Sequence, residues 1–395
     1  SRSVRPEMCR LARPSALLAQ AVRCRSAGDL LGEDRLLRQC LNFQERGRVR
    51  QRAVEAEAAR TARFYLALTG CQRGHFEEAD SHLARLGLSA RLGEGIWSEE
   101  MTEPAPDNFF VRVIDDSLPS ELVEHAQRSL HPESTYWLEH RYEDQDLAFF
   151  SHAHLPGQDL HVIDQLIEAL RPKLEAVAPE VARNLTMVEW WVHHRRRDQW
   201  HGHPLHFDTD EQLLRTSRGS CLRHPAVSSV VYLCDNSPFF GPTLVTSQRP
   251  RRSESDDGLG SDCATVVHPR TGRALFFDGS YLHGALPGRP WLAGPGDPER
   301  RLNLMIGWWT EPISVLPPGD SPGPLAGVDP TAPWVKALAR APGMPRADPG
   351  GGAEAEVKVT SPIWRDIPGA VSGGNPFFGR YFLTHRGQVD EDLFN

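Results

Sequence analysis

The alternation of apolar and polar positions divides the chain into three stretches. Up to about residue 100 the spacing is helical. Ser15–Val22 is a short apolar run, and residues 29–48 and 49–69 are long runs of good helix formers. From about residue 107 to 309 the chain reads mainly as short strands. Phe109–Asp116, Thr186–His194, Val227–Leu233, Thr243–Thr246, Arg273–Phe277 and Arg301–Trp309 are rich in β-branched and aromatic residues. Turn chemistry separates several of them, at Asp235-Asn236-Ser237-Pro238, Phe240-Gly241-Pro242 and Asp278-Gly279. Two helices are expected here: one capped by Ser120, and one over 160–176 with Ile163, Leu166, Ile167 and Leu170 at helical spacing. Beyond Thr310, residues 312–333 and 342–352 are Pro/Gly-rich. Trp334–Arg340 reads as a short helix, and Ile363-Trp364 and Gly379–Thr384 suit a tail docked on the domain.

One segment concentrates chemistry. His201-Gly202-His203-Pro204-Leu205-His206-Phe207-Asp208 contains three histidines and one carboxylate. Side chains two apart in extended chain project to one face, so His206 and Asp208 point together. His283 follows in Gly279-Ser280-Tyr281-Leu282-His283-Gly284. Two imidazoles and a carboxylate form the facial triad of non-haem Fe(II) oxygenases, which leaves the opposite face of the metal open. His201, His203 and His206 leave a zinc site open as an alternative.

From about Asp107 to Trp309, roughly half the chain, the sequence resembles the Fe(II)/2-oxoglutarate-dependent dioxygenases, in particular the prolyl-hydroxylase type. The resemblance rests on His206-Phe207-Asp208, His283 and Arg301 in that order. It implies an α+β chain: a double-stranded β-helix (jelly-roll) core with buttressing helices and an α-helical N-terminal region. It also implies that His206, Asp208 and His283 hold Fe(II) and that Arg301 binds the distal carboxylate of 2-oxoglutarate. Tyr232 and Asn303 would complete that pocket. Asn303 departs from the serine common there. The Pro/Gly-rich insert 285–299 leaves Arg300 and Arg289 as rivals of Arg301. The implied activity is hydroxylation of a peptidyl or small-molecule substrate, with succinate and CO2 released and ascorbate as a reductant. Retention of Asp208 favours hydroxylation over halogenation.

The expected division is a helical region 1–103, an oxygenase domain 104–312 and a linker with tail 313–395. Phe64–Leu68 and Gly74–Ala79, followed by Leu83 and Leu86, resemble one tetratricopeptide helix pair. Stable arrays need about three repeats, so a small cap on the barrel is expected, with a partner-binding scaffold as the alternative. Insertions at 211–225 and 248–262 are candidates for substrate recognition.

Composition narrows the choice. The net charge of −8 over 395 residues, with no base-reading motif, argues against a nucleic-acid partner. No apolar run reaches the roughly 20 residues needed to span a bilayer, so no membrane association is expected. Seven scattered cysteines without a CxxC favour a reducing, intracellular compartment over a disulfide framework. The Arg-rich first 25 residues suit an ordinary basic terminus better than the remnant of an organellar transit peptide. Only Lys173, Lys336 and Lys358 are lysine, so arginine clusters read as compositional background. On that reading Arg195-Arg196-Arg197-Asp198 is a solvated turn, with attraction of an acidic substrate as the alternative.

Overall fold

The computed structural model describes residues 14–42, 51–142, 150–155, 157–250, 262–313, 315, 324–339, 351–369, 376–378 and 383–386. Most of the 248–262 insertion, all of the segment 340–350, and part of the aromatic stretch 379–384 lie outside the described residues.

Two antiparallel sheets form the centre of a mixed α/β architecture. Their strands are β1 (Val111–Asp115), β2 (His152–His154), β3 (Met187–Arg196), β4 (His203–His206), β5 (Val227–Tyr232), β6 (Thr243–Thr246), β7 (Ala264–Val267), β8 (Ala274–Asp278), β9 (His283–Ala285), β10 (Arg300–Trp309) and β11 (Ala353–Ala355). The larger sheet has the order β11-β1-β8-β5-β10-β3-β2, and the smaller one β4-β9-β6-β7.

Alternation assigns the two faces of β10. Leu302, Leu304, Ile306 and Trp308 join an outer core with Val188, Trp190, Val192 and Val231. That core is closed by the helices α5 (Ser120–Ser129) and α6 (Val162–Val177) through Leu122, Val123, Ile163, Leu166 and Leu170. The other face carries Arg301, Asn303 and Met305 toward the smaller sheet. Val111, Val113, Val230, Tyr232, Leu275 and Phe277 pack there with Val245 and Val267. A buried aliphatic or aromatic side chain contributes about 1.5–3 kcal/mol of transfer free energy, so a one-residue slip of β10 would forfeit both cores.

Two local expectations are corrected. Ser120 is the first residue of α5 and not its cap: Pro119 holds the cap position, and no side chain caps the helix. Arg195 and Arg196 do not form a turn, because β3 continues through them, paired with Arg301 and Arg300.

The first hundred residues form α1 (Pro14–Ser26), α2 (Leu30–Asn42), α3 (Gln51–Gln72) and α4 (Phe76–Arg85). Ala67, Leu68 and Cys71 of α3 and Ala79 and Leu83 of α4 share one apolar cluster with Trp200, Leu205, Leu244 and Leu282. These helices thus cover the outer face of the smaller sheet. Ile363 and Ile367 of the tail enter the same cluster. The guanidinium of Arg25 lies 4.2 Å from the Trp200 ring and 4.9 Å from that of Trp291. It donates to Glu33 at 2.9 Å and to Thr69 at 2.6 Å. Among the described residues, no helix is long and apolar enough to cross a membrane.

Candidate metal centre

β4 and β9 pair so that His206 and His283 are direct cross-strand partners. Their ring centroids are 4.4 Å apart. Close pairing needs Gly284: a Cβ there would meet the carbonyl oxygens of His203 at 2.8 Å and Pro204 at 2.9 Å. Each ring is held the same way. His206 Nδ1 lies 2.9 Å from the Pro204 carbonyl, and His283 Nδ1 lies 2.9 Å from the Tyr281 carbonyl. A carbonyl only accepts, so each Nδ1 carries a proton and Nε2 is the ring atom left to bind a metal, the orientation that backbone contacts impose on metal-binding histidines.

Both Nε2 atoms face one oxygen. Asp208 Oδ1 is 3.6 Å from His206 Nε2 and 3.5 Å from His283 Nε2. The other carboxylate oxygen, Oδ2, accepts from Ser228 Oγ at 2.6 Å. Burial pushes the Asp208 pKa up, but His283 and His206 outweigh it and hold the carboxyl well below its usual range. Among the described residues these three form the group whose ligand atoms converge, all within 4.8 Å of one another. Two imidazoles and one carboxylate suit a divalent metal, with three donors on one side only.

The alternative histidine set does not converge. His201 Nε2 is 3.3 Å from the Tyr65 hydroxyl, and His203 Nδ1 takes a hydrogen bond from Arg195 at 2.7 Å.

On the inner face of β10, Arg301 is 4% exposed. It donates to the Gly241 carbonyl and, at 3.0 Å, to Thr243 Oγ1. Asn303, in the amide orientation that satisfies both its ends, accepts from Arg301 Nε at 2.9 Å. Tyr232 donates to the same Thr243 hydroxyl at 2.7 Å. Thr243 Oγ1 therefore accepts twice and keeps its own proton to donate. No carboxylate among the described residues pairs with Arg301. Desolvation pulls its pKa down, against the smaller effects of Tyr232 and Cys234. A buried guanidinium without an acid is costly unless an anion joins it, and donors from Arg301 and Thr243 suit the distal carboxylate of a dicarboxylic acid.

The rivals lie elsewhere. Arg300 is on the outer face, donating to Leu130 and lying 5.5 Å from the Trp137 ring. Arg289 donates to the Trp97 carbonyl and pairs with Glu99 at 3.2 Å.

Three further residues line this interior without a motif to announce them. Ser228 orients Asp208. His193 is the β3 partner of Asn303, with Nδ1 2.8 Å from the Tyr142 hydroxyl. Burial and nearby Arg195 depress its pKa to about 3. Glu189, opposite Gly307 on the same face, accepts from Ser151 Oγ at 2.5 Å and from Trp309 Nε1 at 3.1 Å. Burial drives its pKa to about 8. The inward alternation of β3 and β5 is the signal that could have marked all three.

No family model matches the sequence, and no curated protein does either. Among solved structures the chain is similar to a prolyl-4-hydroxylase of Pseudomonas putida, at 19% identity and a TM-score of 0.29, over 52% of this chain and 94% of that one. It is similar to HygX from Streptomyces hygroscopicus with nickel, 2-oxoglutarate and hygromycin B bound, at 19% identity and a TM-score of 0.31, over 54% and 88%. A third is the viral collagen prolyl hydroxylase of Paramecium bursaria Chlorella virus-1 in its 2OG complex, at 15% identity and a TM-score of 0.29, over 51% and 96%. HygX is also solved with iron. Similarity at this level assigns no residue of this chain a role.

Proposed function

We propose that the chain is an Fe(II)- and 2-oxoglutarate-dependent oxygenase that hydroxylates its substrate. The observation that carries this reading is the pairing of two features on one interior: the His206–Asp208–His283 tripod, and a buried arginine, Arg301, without an acidic partner. The two sheets are read as the halves of a double-stranded β-helix, with the oxygenase unit at 104–312 between a helical region 1–103 and a tail 313–395.

His206 Nε2, Asp208 Oδ1 and His283 Nε2 would hold the metal. Arg301 would hold the distal carboxylate of 2-oxoglutarate, with Tyr232, Thr243 and Asn303 fixing the guanidinium and the hydroxyl beside it. Iron(II) and 2-oxoglutarate held there would supply oxygen activation for conversion of a substrate C–H to C–OH, with succinate and CO2 as co-products. The chain's own part is to present three ligands on one side, keep both imidazoles in the Nδ1–H tautomer and neutralise the co-substrate's buried charge. The substrate is read as a peptidyl (prolyl-type) or small-molecule compound, with ascorbate as a reductant and the chain working in a reducing, intracellular compartment.

The test is anaerobic titration with Fe(II) and then 2-oxoglutarate, following the weak visible charge-transfer absorption of the chelate. The band is expected in the wild type, and in Arg301→Ala only at much higher 2-oxoglutarate. A wild-type protein that binds Fe(II) without ever developing the band would overturn the reading.

A further inference from the structure

His203 opens β4, three residues before His206, and the site as derived so far leaves it without a task. Its hydrogen bonding is unusually well determined. Arg195 Nη2 stands 2.7 Å from His203 Nδ1. A guanidinium has donors and no acceptor, so Nδ1 must accept. The ring is therefore neutral, and its one proton sits on Nε2.

The donor so created is placed beside the tripod. The His203 ring stands edge-on to His206, with centroids 4.8 Å apart and planes at 89°. On its other side is His193, at 5.4 Å. No hydrogen bond joins His203 Nε2 to either ring: His206 uses Nδ1 on the Pro204 carbonyl and faces Asp208 with Nε2, and His193 uses Nδ1 with Tyr142. Among the described residues no group accepts from His203 Nε2, nor is that atom one of the buried polar atoms sealed away without a partner. It is an N–H donor with no acceptor among the described residues, on a ring packed against His206 of the tripod.

The same wall leads to Arg301. β3 and β10 place Arg195 opposite Arg301 and His193 opposite Asn303. The arginine that sets the His203 tautomer is thus the cross-strand neighbour of the arginine read as the co-substrate clamp.

We propose that His203 is a co-substrate-binding residue, its Nε2–H donating to an oxygen of the α-keto carboxylate held at the tripod, and that Arg195 is the positioning residue that fixes its tautomer. This rests on the oxygenase reading above and adds to it a neutral donor at the metal end, where Arg301 serves the far end. Neutrality matters because a cationic imidazolium there would compete with the metal for the same oxygens.

The experiment uses the full chain loaded with Ni(II), titrated with 2-oxoglutarate by calorimetry, and the chain loaded with diamagnetic Zn(II) for histidine 15N–1H spectroscopy. Replacing the donor in His203→Leu is expected to weaken 2-oxoglutarate binding about tenfold. His203→Gln, which restores an N–H, should recover most of that loss, and Arg195→Ala should fall between. Ni(II) affinity should stay at the wild-type value in all three. In the wild type the His203 Nε2–H resonance should be present without co-substrate and move on adding 2-oxoglutarate. Unchanged 2-oxoglutarate affinity in His203→Leu, or a resonance that does not move, would overturn the inference while leaving the oxygenase reading intact. If His203→Leu does not fold, His203→Gln and the wild-type resonance still decide. Failure of the wild type to bind 2-oxoglutarate at saturating Ni(II) would instead remove the oxygenase reading, and this inference with it.

Discussion

His206 and His283 face each other across one strand pair, and each gives its Nδ1 proton to the backbone carbonyl two residues earlier in the chain. The pairing register therefore does two jobs. It brings two Nε2 atoms to one carboxylate oxygen, and it ties both Nδ1 protons to the backbone.

The carboxylate depends on a single hydroxyl. Ser228→Ala removes the 2.6 Å bond to Asp208 Oδ2 and leaves the three ligands in place. Metal affinity should fall about 10- to 100-fold, as for other outer-shell contacts. Asp208→Ala should abolish stoichiometric binding. Calorimetric Ni(II) titration of the two variants separates these outcomes.

The two adjacent arginines should behave oppositely. Arg301→Ala is expected to weaken 2-oxoglutarate binding by about 100-fold, the scale for a buried charge-assisted contact. Arg300→Ala loses a contact to Leu130 and a cation over Trp137. It should lower the unfolding midpoint and leave 2-oxoglutarate affinity at the wild-type value.

Acid should destabilise the protein before it reaches the carboxylates. Burial lowers the pKa of both His140 and His194 from 6.5 to about 4. Between those values the unfolded chain binds protons that the folded chain refuses. Stability then falls as pH falls, by about 1.4 kcal/mol per pH unit for each such proton. Urea melts between pH 7 and pH 4 should show this slope, and it should shrink in His140→Gln.

Glu189 has the opposite sign. Its pKa is raised from 4.5 to about 8 by burial, so the folded state holds a proton that the unfolded state has lost. Across that window its contribution to stability declines as pH rises. Glu189→Gln mimics the protonated acid. The variant should gain on the wild type as melts are taken from pH 5 to pH 8.5, and a constant gap would show that the carboxyl is already ionised in the folded state.

The grouping of His206, Asp208 and His283 was legible in part, because His206 and Asp208 lie two apart in the chain and share one side of the tripod. Arg301 was singled out from its place near the start of a strand, and it is the second residue of β10. The residues that touch them were not legible. Ser228 is 20 positions from Asp208, and Thr243 is 58 from Arg301; only the pairing of strands brings them together. β2, β7 and β9 run three or four residues, too short for alternation to show. The 211–225 insertion hid a helix, Glu211–Thr216, started by the Asp210 side chain accepting from Leu213 N at 2.9 Å. Treating arginine as background concealed both Arg195, which lies in a strand wall, and Arg25, which is buried among aromatics.

Arg25 bears on how much of the chain is needed to work. Its guanidinium sits against Trp200 and Trp291, and Trp200 stands just upstream of β4, the strand that carries His206. Deleting the first four helices would strip two indoles of their cover, bare the outer face of the smaller sheet and loosen the strand that carries His206. The smallest stable unit is therefore larger than the two sheets. Trp200 and Trp291 report on that integrity from within, since their emission should shift to the red as soon as the helices leave.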